Sequence, residues 1–109
     1  MKSGYIGFAA AVLAVAAAQP VHAQPVHTPA DTAKIETGIQ AYNNYCFTCH
    51  GENLVSSGQV FDLRRLKPDD RDRFQKAVLN GKGQMPPWKG VVEDEQIEAI
   101  WAYVMSQRK

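Results

Sequence analysis

The stretch Cys46-Phe47-Thr48-Cys49-His50 holds the residues of this 109-residue chain best placed to do chemistry. Two thiols three positions apart can each add across one of the two vinyl groups of a single haem. The imidazole that follows at once then falls under the iron as its proximal ligand. These are the only two cysteines, so the motif uses every thiol and leaves no odd sulfur. Competing readings of such a pair are weaker here. A redox disulfide of the thioredoxin kind needs a βαβ context, and the sequence offers none. A closed structural zinc site wants four ligands, and the remaining histidines, His22 and His27, stand near the N-terminus. A plain disulfide between such close cysteines would close a very short loop and stabilise little.

A low-spin haem of this type takes a sixth ligand, commonly methionine or histidine. Beyond residue 23 the candidates are His27, Met85 and Met105. His27 precedes His50 by 23 positions in a Pro-containing stretch, and Met105 lies in the last turns of a C-terminal helical pattern. Met85 sits in Gly83-Gln84-Met85-Pro86-Pro87-Trp88. Paired prolines fix φ and remove backbone donors, which holds a thioether in place with little entropy left to lose. Met85 is therefore the expected ligand, against the plainer alternative that it fills a gap in the core.

Three helices are expected to position these groups. Thr28-Pro29-Ala30-Asp31 can start one, with Thr as cap, Pro in the first turn and Asp near the positive end of the dipole. Ile35, Ile39 and Tyr42 then keep helical spacing, so a helix from about Thr32 to Tyr45 delivers Cys46 at its end. Residues 51–60, rich in Gly, Ser and Asn, read as loop. A second helix is predicted over Pro68–Leu79, with Asp69 and Asp70 at its start, Phe74 and Val78 on one face and Gly81 just past its end. Residues 82–92 form a loop. The last helix carries Glu93, Asp94 and Glu95 at its head, Arg108 and Lys109 at its tail, and an apolar stripe of Ile97, Ile100, Trp101 and Val104. No period-two alternation demands a strand. The prediction is an all-α domain of short helices whose long loops wrap one covalently bound haem, a disc that supplies the burial a small chain lacks.

The N-terminus predicts export. Lys2 precedes an apolar run from Tyr5 to Ala18, and small residues offer cleavage after Ala18 or Ala23, the layout of a secretory signal peptide. The run of fourteen residues is short of the roughly 20 needed to span a bilayer, so a membrane anchor is the poorer reading. The expected organisation is a signal peptide over 1–23, a flexible leader over 24–31 and the haem domain over 32–109. Lys2 is the one charged residue before Asp31, so residues 24–109 balance eleven basic against eleven acidic side chains. Nothing in that balance points to nucleic acid.

Taken together, Cys46-x-x-Cys49-His50, a short amphipathic helix, Gly81-x-Gly83-x-Met85-Pro86 and a C-terminal helix closing on Tyr103 resemble the small bacterial class I cytochromes c. The resemblance implies one haem c ligated by His50 and Met85, with Cys46 and Cys49 as its attachment points. It implies that the first and last helices cross at a small residue, here Gly38 and Tyr42 facing Ile100 and Tyr103. In that family a proline carbonyl accepts the second N–H of the proximal histidine; Phe61 occupies that place here. Leu63 is expected against the haem face, and Arg64, Arg65 or Trp88 as donors to a propionate. With both axial positions filled, the centre exchanges single electrons and is not an enzyme. The implied function is a soluble, monomeric periplasmic carrier with redox-protein donor and acceptor and no membrane insertion after cleavage. Asp62-Leu63-Arg64 and the Ile100–Val104 ending resemble cytochromes that serve periplasmic quinoprotein alcohol dehydrogenases and pass electrons to an oxidase or another cytochrome. Docking is expected where Lys82, Gln84 and Lys89 rim the haem edge and Trp88 lines it, although these lysines also suit an ordinary solvated loop. The rival classes are a catalytic or gas-sensing haem protein with an open sixth site, and a haem-free disulfide or metal module.

Overall fold

The computed structural model describes residues 2–4, 6–21 and 26–109 of the chain. His22 and Ala23 of one expected cleavage point, Gln24 and Pro25 of the leader, and Tyr5 at the head of the apolar run lie outside the described residues. Residues 6–21 form no helix or strand, and Ile6, Phe8, Val12 and Leu13 are exposed. Among the described residues no helix is long and apolar enough to cross a membrane. The described residues contain four α-helices, three short 3-10 turns and no strand beyond one isolated bridge. The all-α expectation holds.

Helix α1 spans Pro29–Tyr45. It starts before the expected Thr32 because the cap is complete. Asp31 N–H donates to Thr28 Oγ1 (3.2 Å) while Thr28 N–H donates to an Asp31 carboxylate oxygen (3.1 Å), so each side chain satisfies a backbone donor of the first turn. A four-residue turn, α2 (Phe47–His50), follows at once. Helix α3 (Arg71–Asn80) is preceded by a 3-10 turn at Pro68–Asp70. The single helix expected from Pro68 is thus split, with Pro at the first position of the tighter turn. Gly81 ends α3 at φ +75°, a left-handed value that glycine adopts without a Cβ penalty. Helix α4 (Asp94–Ser106) begins where Glu93 N–H donates to the Gln96 side chain (3.0 Å).

Helices α1 and α4 make the most extensive contact of the fold. Gly38, Ala41 and Tyr42 of α1 are buried against Ile97, Ala99, Ile100, Tyr103 and Val104 of α4. A Cβ placed on Gly38 would collide with the carbonyl of Ala99, lying 2.5 Å from its carbon and 3.0 Å from Tyr103 Cβ. The crossing expected at Gly38 is present, with Ala99 rather than Ile100 directly opposite the glycine. The aromatic one turn on is as expected: Tyr42 meets Tyr103 edge to face, with centroids 5.6 Å apart. Such a pair contributes about 0.5–1.5 kcal/mol beyond the burial of the rings. Helix α3 joins through Phe74 against Trp101 (5.1 Å), and Glu98 of α4 pairs with both Arg71 and Lys34 (4.0 Å for the latter). These ion pairs are part-exposed and contribute at most ~1 kcal/mol each. Packing at the crossing dominates.

The chain end departs from expectation. Helix α4 stops at Ser106, and Lys109 N–H donates to the Arg64 carbonyl (3.1 Å). The basic tail therefore folds onto the 3-10 turn Leu63–Arg65 instead of lengthening the helix. That turn is clamped locally. Asp62 accepts from Arg64 Nε (2.9 Å), a terminal guanidinium nitrogen (2.8 Å) and the Arg64 amide (3.0 Å). The Arg64 side chain holds the Asp62 carboxyl down at about 2, below its ordinary value.

Two outcomes follow from these contacts. Alanine favours a helix interior over glycine by about 1 kcal/mol, but Gly38→Ala must push α1 away from the Ala99 carbonyl, and overpacking costs about 1–3 kcal/mol. Net destabilisation of that order is expected in chemical denaturation; a stabilised variant would mean the helices are not in contact there. A carboxylate whose folded pKa is depressed stabilises the fold above its unfolded pKa and loses that contribution as pH falls towards about 2. Asp62→Asn should accordingly melt below wild type at neutral pH, with the gap closing as the pH is lowered from about 4 to 2. A gap independent of pH would show that the charge is immaterial.

Candidate functional site

Helix α1 hands the chain directly to the Cys46–His50 turn. Cys46 N–H donates to the Tyr42 carbonyl (2.8 Å), and Cys49 and His50 both donate to the Cys46 carbonyl (3.3 and 3.0 Å). Cys46, Cys49 and His50 thus fall at i, i+3 and i+4 of one helical turn, a spacing that puts side chains on a common face. The thiols are unbridged; Cys46 is half-buried and Cys49 exposed. Burial pushes the Cys46 thiol up to about 11, with Cys49 adding to the effect. A reactive redox dithiol needs the opposite shift. The zinc reading also finds no support: among the described residues no cluster of three His, Cys, Asp or Glu side chains could hold a metal.

His50 Nδ1 is buried and makes no hydrogen bond within normal limits. Burial lowers the imidazole's pKa, and the Phe61 backbone carbonyl pulls it the other way. Phe61, which stands where the family resemblance implies a proline, is thus the backbone group that acts on the imidazole, without a formed hydrogen bond to Nδ1. An imidazole with Nδ1 buried in the protein keeps Nε2 for a metal. Apolar side chains nearby in sequence stay unusually open, with Phe47, Val55 and Phe61 between 43% and 54% exposed. An attachment turn, an oriented imidazole and under-covered apolar side chains together fit a large apolar ligand with a metal at its centre.

The backbone after His50 is held by Tyr42, whose fully buried hydroxyl donates to the Gly51 carbonyl (2.6 Å). Gly51 takes φ +88° in a place where a Cβ would strike the Val55 carbonyl. Asn53 and Leu54 are also left-handed, at φ +53° and +65°. For leucine that conformation costs on the order of 1–3 kcal/mol, offset by complete burial of its side chain, which stabilises by about 1.5–3 kcal/mol. Neither this turn nor the Tyr42 bond is legible from residue types: composition marks 51–60 as loop, and a hydroxyl's partner nine residues on has no periodic signature.

Met85 closes a tight hairpin. Lys82 and Met85 exchange backbone bonds (3.1 and 3.0 Å), and a Cβ on Gly81 would come within 2.6 Å of the Met85 carbonyl. Trp88 N–H donates to the Val78 carbonyl (2.8 Å), tying the far side of Pro86-Pro87 to α3. The Trp88 ring meets Tyr45 edge to face at 5.8 Å, joining this loop to the residue before Cys46. Cys46, Leu63, Met85 and Trp88 are all part-buried against one core. His27 and Met105 line a shallow concavity of about 200 Å³ with Asp31 and Ile35, and Met105 also packs against that core. Along α1, Asp31 stands about 22 Å from Cys46 at 1.5 Å per residue. Of the three candidate sixth ligands, only Met85 is tied to the attachment turn.

Among the other expected site residues, Lys82, Gln84 and Lys89 are exposed and Trp88 half-buried. Arg64, one of three expected propionate donors, commits two guanidinium nitrogens to Asp62, while Arg65 is exposed.

Comparison with known proteins agrees with this geometry. The family described as cytochrome C oxidase, cbb3-type, subunit III matches residues 33–104. Quinohemoprotein alcohol dehydrogenase ADH-IIG of Pseudomonas putida is 33% identical over 93 residues, 84% of this chain. The chain spans only 13% of that protein's length. Cytochrome c6 of a Synechococcus species is 33% identical over 85 residues, covering 73% of this chain and 76% of that protein. The solved structure of ADHIIG from P. putida HK5 superposes with a TM-score of 0.66 at 33% identity, over 90% of this chain and 15% of that one. With the fold, the attachment turn and these relatives in agreement, the chain belongs to the cytochrome c family, electron-transfer proteins that carry covalently attached haem c.

Proposed function

We propose that the chain is an exported, monomeric periplasmic carrier of single electrons with one haem c. Cys46 and Cys49 would hold the haem through thioether bonds, and His50 Nε2 and the Met85 thioether would ligate its iron. The observation that carries this reading is His50: it stands on the turn that bears both thiols, with its Nδ1 buried in the protein. The bound haem supplies a one-electron ferric/ferrous couple. The protein's own part is to fix the ligands and limit water. Gly81, Pro86 and the Trp88–Val78 bond hold Met85 in one conformation, and a soft thioether favours ferrous iron and raises the potential. With His50 and Met85 both bound to the iron, substrate would have no place at the metal, and the chain would carry electrons without catalysing a reaction.

The relatives support a choice of partners. Two quinohemoprotein alcohol dehydrogenases of P. putida carry a similar stretch as 12–13% of their length, which supports a quinoprotein alcohol dehydrogenase as donor. The cbb3-type oxidase subunit family supports an oxidase, or a cytochrome leading to one, as acceptor. Lys2 with the apolar run after it supports export by a signal peptide removed after Ala18 or Ala23.

Protein purified from a periplasm able to mature cytochromes should give a c-type pyridine haemochrome, and its ferrous form should not bind carbon monoxide at neutral pH. Met85→Ala should keep the haem, bind carbon monoxide, and lose on the order of 100 mV of potential, a small part of the ~0.8 V that axial ligands span. His27→Ala and Met105→Ala should change none of these. A colourless product defeats the carrier reading; persistence of the far-red ferric sulfur–iron band in Met85→Ala defeats the ligand assignment.

A further inference from the structure

Among the described residues, His50 Nδ1 is the one buried side-chain polar atom without a hydrogen bond. The backbone group that acts on this imidazole belongs to Phe61. When the other ring nitrogen binds a metal, Nδ1 carries a proton, and whatever accepts it sets the ring's orientation and its basicity toward the metal. Position 61 therefore bears on the centre through its main chain, and so does whatever holds that main chain still.

Phenylalanine does not lock its own φ as a proline would, so the fixing falls to its neighbours. Just before it, Ser56 Oγ donates to the Val60 carbonyl (2.8 Å). Just after it, Asp62 is clamped on Arg64. The Phe61 ring is 43% exposed and stands outside the core, so apolar packing does little to hold it. Arg73 of α3 lies over it instead, with the guanidinium carbon 5.1 Å from the ring centroid. That is within the range at which a cation is attracted to a ring face. Arg73 is itself aimed by Asp70. One carboxylate oxygen of Asp70 accepts from the Lys67 amide (2.9 Å), and the other lies 3.6 Å from Arg73 Nη1. A line of contacts thus runs from the 3-10 turn at Pro68 through Arg73 to the residue beside His50.

We propose that Arg73 is a positioning residue for the proximal histidine: by holding the Phe61 ring, it keeps the Phe61 carbonyl in place to accept from His50 Nδ1. The proposal rests on the carrier reading and adds a surface cation that tunes the centre without touching it.

The test follows solvent exchange of the His50 Nδ1 proton by NMR in the ferrous holoprotein. Arg73→Ala should speed that exchange about fivefold, the loss expected of one cation–ring contact at an exposed site. Phe61→Leu removes the ring but keeps the carbonyl, and should do the same. The double variant should exchange no faster than either single one, since both remove one contact. In a Phe61→Pro background, where the pyrrolidine ring fixes φ, Arg73→Ala should add nothing. Phe61→Leu should also raise the reduction potential: it changes no charge, and a loosely held imidazole donates less to ferric iron. Lys76→Ala removes an exposed cation of the same helix that lies over no ring among the described residues, and should stay within about twofold of wild type. Additive effects of Arg73→Ala and Phe61→Leu would overturn the role given to Arg73. So would an Arg73→Ala protein that yields earlier to denaturant but exchanges like wild type. In either case a c-type spectrum leaves the carrier standing. Absence of that spectrum overturns the carrier, and the role of Arg73 with it.

Discussion

The fold turns on one close approach of two backbones, where α1 passes over α4 with nothing but the hydrogens of Gly38 between its own chain and the Ala99 carbonyl. A residue with any side chain would hold the helices further apart. This proximity brings Tyr42 onto Tyr103 one turn later. It also fixes the height and direction at which α1 ends, and so where Cys46 is delivered. The first and last helices are far apart in sequence, and a domain of this size has few other places to make a core.

From that crossing the site is built outward through a short chain of contacts. Tyr42 fills the interface with its ring and reaches Gly51 with its hydroxyl, so the residue that sets helix packing also fastens the backbone beside His50. Burial raises the pKa of that hydroxyl far above its ordinary value, which keeps it a donor at any physiological pH. Tyr45, one residue before the first thiol, meets Trp88, and Trp88 is bonded through its amide to α3. The attachment turn and the methionine hairpin are therefore positioned against each other by protein contacts. Charge plays a small part inside: among the described residues no charged side chain is buried, and the ion pairs lie at the periphery.

Much of this was legible from residue types. Cys46, Cys49 and His50 could be proposed directly because the chemistry expected of them depends on local spacing, which one helical turn preserves. The helices follow from apolar periodicity, and the family resemblance pointed to Gly38 and Tyr42 as the crossing. Boundaries were less legible. The reciprocal cap at Thr28 and Asp31 brings α1 forward to Pro29, and the Arg64 carbonyl draws Lys109 away from α4; both depend on geometry that composition does not encode. The left-handed pair Asn53-Leu54 was invisible because leucine ordinarily avoids that region, and only complete burial of its side chain offsets the strain. That His27 and Met105 line a separate concavity, while the Met85 loop contacts the residue before Cys46, likewise needed the fold.

Pairing the first helix with the last has a consequence for the order of events during synthesis. A chain that emerges from its N-terminus presents α1 and its two thiols long before the partner helix exists. Until Ala99 and Tyr103 arrive, Gly38 has no surface to rest on, Tyr42 has nothing to stack against, and the turn at Cys46 stays displayed on an open chain. Local contacts can form early, whereas this distant one must wait for closure of nearly the whole domain. The architecture thus leaves a natural interval in which the thiols are accessible to modifying machinery, and completion of the C-terminus brings that interval to an end.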